Sequence, residues 1–210
     1  MEFSNVMQIP RGDPGYPPSL IRSLEGEAPA AIVANGDLRL LERRKMALFC
    51  STRCPGSLIV HSYDMVQRLR ESPFALLGGF HSPMEKEWLA VLLRGPAPVI
   101  LCPARSIETM RLPADYKKPL KDGRLLILSC FPGGPDRPTT EMAEERNRFV
   151  AGLADLILVA HAARSGKTER LCSEALALGK SLYTLDDKAN AHLVDLGAKV
   201  VSAYSAIGWD

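Results

Sequence analysis

Apolar residues fall in short continuous runs divided by longer mixed segments. The runs are AAIVANG at 30–36, KMALFCS at 45–51, FALLGG at 74–79, APVILC at 97–102, RLLILSC at 124–130, DLILVAH at 155–161 and KSLYTL at 180–185, with AKVV at 198–201 as a short edge strand. None alternates with period two. Strands buried on both faces look like this, and both faces are covered in parallel α/β sheets. Helical periodicity fills several of the gaps. One helix carries Met65, Val66 and Leu69, and another spans 84–93. A third, capped by Thr140, runs to about 152 with Met142, Phe149, Val150 and Leu153 on one face. On its outer side Glu144 and Arg148, four apart, are expected to pair. The last long helix starts near Ser165 or Thr168, turns Leu171, Ala175 and Leu178 inward, and stops at Gly179. The first 28 residues are rich in Pro, Gly and charge, and YPPSLIRSLEG holds one short helix opened by Pro17 and Pro18.

The pattern predicts an α/β fold: three layers around a mostly parallel, Rossmann-like sheet. Residues 1–40 are read as a lead-in packing on a core domain at 41–210.

Composition narrows the chemistry. Hydrophobic residues make up 46% of the 210, enough for a real core. The formal net charge is only +2, which excludes nucleic-acid binding by bulk charge and requires a local basic patch. No apolar run reaches the roughly 18 residues that span a bilayer. The start MEFSNVMQIPRGD does not read as a secretory signal, so a cytoplasmic location without membrane association is expected. Cys50, Cys54, Cys102, Cys130 and Cys172 form no CxxC and are odd in number, which speaks against a disulfide framework or a zinc site. No metal or cofactor is expected.

In an open α/β sheet, ligands bind beyond the carboxyl ends of the strands. Four segments occupy that position. In CSTRCPGS, Ser51, Thr52 and Arg53 stand where a strand becomes a loop, and Arg53 can fork onto a phosphate with help from the backbone around Gly56 and Ser57. In GGFHSPME, Gly78 and Gly79 permit close backbone approach, and Glu85 either holds a ligand hydroxyl or favours the helix dipole. In FPGGPDRPTTEMAEERNR, Arg137 lies in a loop, while Arg146, Asn147 and Arg148 follow on a helix and cannot all share one face. In HAARSGKTE, Arg164, Ser165, Gly166 and Lys167 form a loop entering a helix, which suits an anion. The GKT there is not a P-loop, since His161 stands where the first glycine belongs. Between 105 and 124, six basic residues face three acidic ones, and Tyr116 among them is a candidate for stacking on a base.

These segments, in this order, resemble the DprA/Smf family of bacterial DNA-processing proteins over roughly 16–202. YPPSL with APAAIVANGD is similar to the family's lead-in. STR at 51–53 resembles its G-[ST]-R loop, GGFHSPME its SGxAxGID segment, and LLILSCFPGG its strand ending in SExPxG. ERNRFVAGLADLILVAHAARSG resembles RNRxIAGLSxxxxVxEAxxxSG and is the most specific match. NAHLVDLGAKVV resembles the closing N-x-LIxxGAxxV. Departures fall at Cys50 and Ser51, Pro83, Glu85, Cys130, His161 and Lys167, where the family tends to have other residues.

The resemblance implies an extended Rossmann-like core and a non-catalytic role: binding single-stranded DNA, forming a homodimer, and helping to load a recombinase. It places Arg53 and the 164–167 loop on phosphates, with Gly78, Gly79, Glu85 and the 146–148 segment shaping the pocket. Two alternatives stay open. One is a nucleotide-like ligand, with or without N-glycosidic hydrolysis by Glu85 or Glu141; the incomplete match of FPGGPDRPTTE to PGGxGTxxE speaks against it. The other is a homologue whose site has drifted.

Overall fold

The computed structural model describes residues 6–202. The sequence's opening residues 1–5, part of the segment read as lacking a secretory signal, lie outside the described residues. The chain runs β1 (Val6–Pro10), α1 (Pro18–Leu24), β2 (Ala31–Gly36), β3 (Lys45–Cys50), α2 (Gly56–Leu69), β4 (Ala75–Gly78), α3 (Pro83–Leu92), β5 (Val99–Leu101), α4 (Ala114–Lys121), β6 (Leu125–Ser129), α5 (Thr140–Leu153), β7 (Leu156–His161), α6 (Lys167–Ala177), β8 (Ser181–Leu185), α7 (Ala191–Asp195) and β9 (Lys199–Val201).

All nine strands join one sheet in the order β1-β2-β6-β5-β4-β3-β7-β8-β9. From β6 through β9 every neighbouring pair is parallel, while β2 is antiparallel to both β1 and β6. Alternate residues of each central strand feed opposite cores, which explains the unbroken apolar runs. Met46 and Leu48 of β3 pack with Leu58, Met65 and Trp88 from α2 and α3. Ala47 and Phe49 pack with Leu20, Phe149, Val150, Leu171 and Ala175 from α1, α5 and α6. The result is the expected three-layer, mostly parallel α/β fold.

Several local expectations change. β1 was not anticipated: it is an edge strand with only Ile9 buried, so it carries no continuous apolar run. Thr139, not Thr140, caps α5, its Oγ1 accepting the Met142 N–H at 3.2 Å. Glu144 does not form its ion pair with Arg148; it turns to Lys167 at 2.6 Å. Leu178 is exposed at the end of α6, and Cys172 takes the inner position instead. Gly179 does adopt the positive φ of a helix stop, at 71°. Tyr116 lies half-buried against the core, on an α4 that the Lys-rich, Pro-containing sequence did not announce. Among the described residues, no helix is long and apolar enough to cross a membrane.

Candidate functional site

Chain order along the sheet reverses between β3 and β7. From β3 the crossovers run through β4 and β5 to β6; from β7 they run the other way through β8 to β9. A crevice opens outside the carboxyl ends at such a point. Two of the loops singled out from the sequence meet there. The Ser51 N–H donates to the His161 carbonyl at 2.9 Å. Its Oγ accepts the Ala163 N–H at 3.0 Å and donates to Thr168 Oγ1 at 3.1 Å. Thr52 and Arg53 project from this junction and are exposed. The buried His161 imidazole is fixed from behind. Asn190 donates both amide protons, to Ala160 O at 2.8 Å and Leu185 O at 3.2 Å, so its Oδ1 accepts from His161 Nδ1 at 3.0 Å.

Below the next strand ends lies a second arrangement. Pro83 opens α3, and Ser82 and Glu85 form a reciprocal capping box. Glu85 does more than cap. Its Oε1 accepts the Cys50 N–H at 3.0 Å, and its Oε2 accepts the N–H groups of His81 at 2.9 Å and Ser82 at 3.3 Å. A buried carboxylate thus ties the end of β3 to the loop after β4. Arg146 reaches in from α5 and donates through Nη1 to Cys102 O at 2.9 Å. Its guanidinium lies where a side chain at Gly79 would be: a Cβ there would fall 1.3 Å from Nη1. Arg146 is only 4% exposed, its Nε is buried without a partner, and no carboxylate lies within ion-pair distance among the described residues. Burial disfavours its charge and pulls its pKa below the usual arginine range, and the Glu85 charge opposes that.

Arg146 forms part of the lining of a cleft of about 410 Å³, shared with Gly79, Arg105, Glu144, Asn147 and Lys167. The other cations are partnered. Arg105 meets Asp136 at 3.1 Å, and Lys167 meets Glu144 at 2.6 Å. With Arg105 and Lys167 each matched by a carboxylate, Arg146 leaves the lining positive by one charge.

Of the residues expected at the site, Gly79, Arg146, Asn147 and Lys167 share the cleft, and Ser51 is hydrogen-bonded to the loop that carries Lys167. The remainder lie around or beneath it. Gly78 is buried in β4, where a Cβ would sit 3.1 Å from Leu48 O. Glu85 is a buried brace rather than a wall. Arg137 is exposed one residue before the cleft-lining Pro138. Arg148 is exposed on α5, and its charge acts on Glu144. Arg164 and Ser165 are exposed on the loop before α6, where two backbone donors are already engaged: Ser165 N–H binds Glu169 Oε2 and Gly166 N–H binds Ala163 O. Glu141 is exposed at the start of α5 and its pKa is lowered, first by a backbone hydrogen bond and then by Thr139, which suits it poorly as a general acid. The sequence reading missed Arg105 and Glu144 as wall residues. Spacing along one helix cannot show that the start of α6 approaches α5. Among the described residues, no cluster of His, Cys, Asp or Glu has the geometry of a metal site.

Beside this junction sits a thiol pair. The Cys50 thiol hydrogen-bonds Cys54 and lowers the Cys54 pKa, while the same contact and burial raise that of Cys50.

Comparison with known proteins gives one family. The family model for DNA recombination-mediator protein A matches residues 8–207. DNA processing protein A from Streptococcus pneumoniae superposes with a TM-score of 0.76 at 22% identity, covering 96% of this chain and 72% of that one. DNA processing protein A from Helicobacter pylori, whose structure is described for its single-stranded DNA binding mode, gives 0.74 at 18% identity, covering 95% of this chain and 93% of that one. The molybdenum cofactor carrier protein of Chlamydomonas reinhardtii gives 0.51 at 10% identity over 77% of this chain and 91% of its own. At these identities the likeness to solved structures is one of fold. No curated protein matched the sequence.

Proposed function

The chain belongs to the DNA recombination-mediator protein A family, and from that premise we propose that it binds single-stranded DNA without catalysis, its phosphates entering the cleft between α5 and the ends of β4 and β5. The observation that carries this reading is Arg146: a buried guanidinium with an unbonded Nε and no carboxylate partner, facing a positive cleft. A buried unpaired charge is costly, and an anion arriving from solvent relieves that cost. Lys167 adds a second contact by exchanging Glu144 for a phosphate oxygen. Arg53, Thr52 and Arg164, exposed at the rim, extend the track. Contacts of this kind position a backbone and carry no sequence information. Glu85 holds the floor together, and both of its oxygens are taken up by backbone N–H groups, which leaves it no part in N-glycosidic hydrolysis.

Within the same reading, residues 1–40 are a lead-in to the 41–210 core, the chain acts in the cytoplasm as a homodimer, and a recombinase is its partner. Family membership supports these; sedimentation of the pure chain tests the dimer.

Fluorescent oligonucleotide titration at low and moderate salt tests the central claim. Wild type binds, with log affinity falling against log salt by about 0.7 for each phosphate contacted. Lys167→Ala leaves the fold intact, since Lys167 is exposed, but weakens binding about tenfold and flattens that slope by roughly one contact. No binding by wild type, or an unaltered Lys167→Ala, overturns it. The cleft volume of about 410 Å³ also falls within the range of small-ligand sites. Mononucleotides are therefore titrated beside the oligonucleotide, and tighter binding of a mononucleotide favours the nucleotide-ligand reading.

A further inference from the structure

Two of the five free cysteines flank the loop that leads out of β3. Cys50 ends the strand and Cys54 lies two residues before α2, with Ser51, Thr52 and Arg53 between them. Their sulfurs are in contact, the Cys50 S–H donating to Cys54 Sγ. Cys102, Cys130 and Cys172 are buried. Burial pushes the thiols of Cys102 and Cys172 up to about 12, which leaves them inert.

The pair is asymmetric. Cys50 is 4% exposed and anchored. Its N–H donates to Glu85 Oε1 at 3.0 Å, its sulfur takes a hydrogen bond from the His161 N–H, and Ser51 beside it is bonded to His161 O and Ala163 N. Cys54 is half-buried, and Pro55 after it caps α2. The N-terminus of that helix favours a negative charge, and so does the bond from the Cys50 thiol. Burial and the charge of Asp187 oppose this, but the Cys54 pKa is lowered on balance. Cys54 is therefore the sulfur that ionises first. Two thiols packed only to fill a core would both be buried, and Cys54 is not.

We infer that Cys50 and Cys54 form a site of reversible oxidation that takes a hydroperoxide as oxidant and closes to an intrachain disulfide. The Cys54 sulfur attacks one oxygen of hydrogen peroxide. An S–O bond forms, the O–O bond breaks, and the other oxygen leaves as water with the thiol proton. The Cys50 sulfur then attacks the sulfenic sulfur. The S–S bond forms, the S–O bond breaks, and the hydroxyl leaves as water with the Cys50 proton. Two electrons pass from the thiols to the peroxide. The bond to Cys54 is the first cause that holds the Cys50 proton in place, and the first step removes it. Sulfurs already in contact are within reach of disulfide geometry. A thiol from solvent reverses the bond by exchange.

The closed ring contains Thr52 and Arg53. Since Cys50 is anchored, Cys54 moves inward and draws Arg53 away from the rim. This consequence rests on the cleft as the site of DNA binding: the oxidised chain binds oligonucleotide about threefold more weakly, the scale of one exposed charge contact.

The test adds hydrogen peroxide to the purified chain. Free thiols fall from five to three, and the intact mass drops by two hydrogens. Tryptic peptides 46–53 and 54–68 stay joined until dithiothreitol is added, because Arg53 is itself a cleavage site. Cys54→Ser forms no such bond, and the wild-type digest is decisive even if that variant fails to fold. Five thiols remaining in the wild type, Cys54 ending as sulfinic acid with no S–S bond, or a bond to any other cysteine overturns the site. Oligonucleotide titration before and after peroxide reads the coupling. The wild type loses affinity and dithiothreitol restores it, while Cys54→Ser is indifferent to both. Equal affinity of oxidised and reduced wild type overturns the coupling. No binding by the reduced chain overturns the cleft instead, and the digest still decides the thiol pair.

Discussion

Gly79 lacks a side chain because Arg146 occupies the space one would take. A Cβ there, 1.3 Å from Nη1, forces the guanidinium away from Cys102 O. The backbone itself has no need of glycine, since Gly79 is not among the positive-φ residues. Gly79→Ala therefore displaces a charge without straining a turn. It should cost about 1.5–3 kcal/mol, the worth of a hydrogen bond to a charged group. Oligonucleotide affinity should fall with it by at least roughly tenfold, the equivalent of about 1.4 kcal/mol. Urea denaturation and titration on the same preparation check both, and normal binding by the alanine variant would mean that Arg146 does not touch phosphate. The sequence showed that a glycine pair after a strand permits close approach. It did not show what approaches, because Arg146 comes from a helix 67 positions further along.

Elements were legible where burial was two-sided. The apolar runs of β3, β7 and β6 predict strands because both faces of each are covered, and α5 was legible because Met142, Phe149, Val150 and Leu153 all face inward. β1 was not, because an edge strand that buries only Ile9 leaves no run to see. Nor was α4, where Pro119 inside the segment argues against a helix when read alone. The start of α5 separates sequence from structure by one residue. Two threonines stand together, and either reads as a cap, but only Thr139 accepts a helix N–H. Thr139→Ala should cost about 1 kcal/mol, and Thr140→Ala, already inside the helix and exposed, little or nothing. Equal losses in thermal denaturation would contradict the cap. The cleft was half legible for a related reason: its strand-end residues follow from position, while its walls depend on which strands become neighbours.

For the whole molecule, the rim around the carboxyl ends of the strands is tied by carboxylates that join separate elements. Glu144 of α5 holds Lys167 of α6, Asp136 holds Arg105 and Thr109 across two loops, and Asp187 holds Ser57 at the start of α2. Each has its pKa lowered. The cause that comes first is the Lys167 hydrogen bond for Glu144, the Thr109 hydroxyl for Asp136, and the Ala189 N–H for Asp187. A carboxyl whose folded pKa lies below its unfolded value binds fewer protons when folded. Its stabilisation is complete above the ordinary carboxylate range and is lost as pH falls through the depressed folded pKa. The two apolar cores hold no such groups, and Asp37 and Asp122, held low by Arg39 and Lys118, also lie outside them, so acid should act on these surface ties before the sheet. Thermal melts should be level from neutral pH to about 5 and fall progressively below it. Because these carboxylates are exposed or partly exposed, each contributes little alone, and the fall reflects their number. High salt at neutral pH should reproduce only part of it, since screening weakens the ion pairs but leaves the Ala189, Ser57 and Thr109 hydrogen bonds in place. A melting temperature at pH 3 equal to that at pH 7 would show that the rim's carboxylates do not hold these elements together.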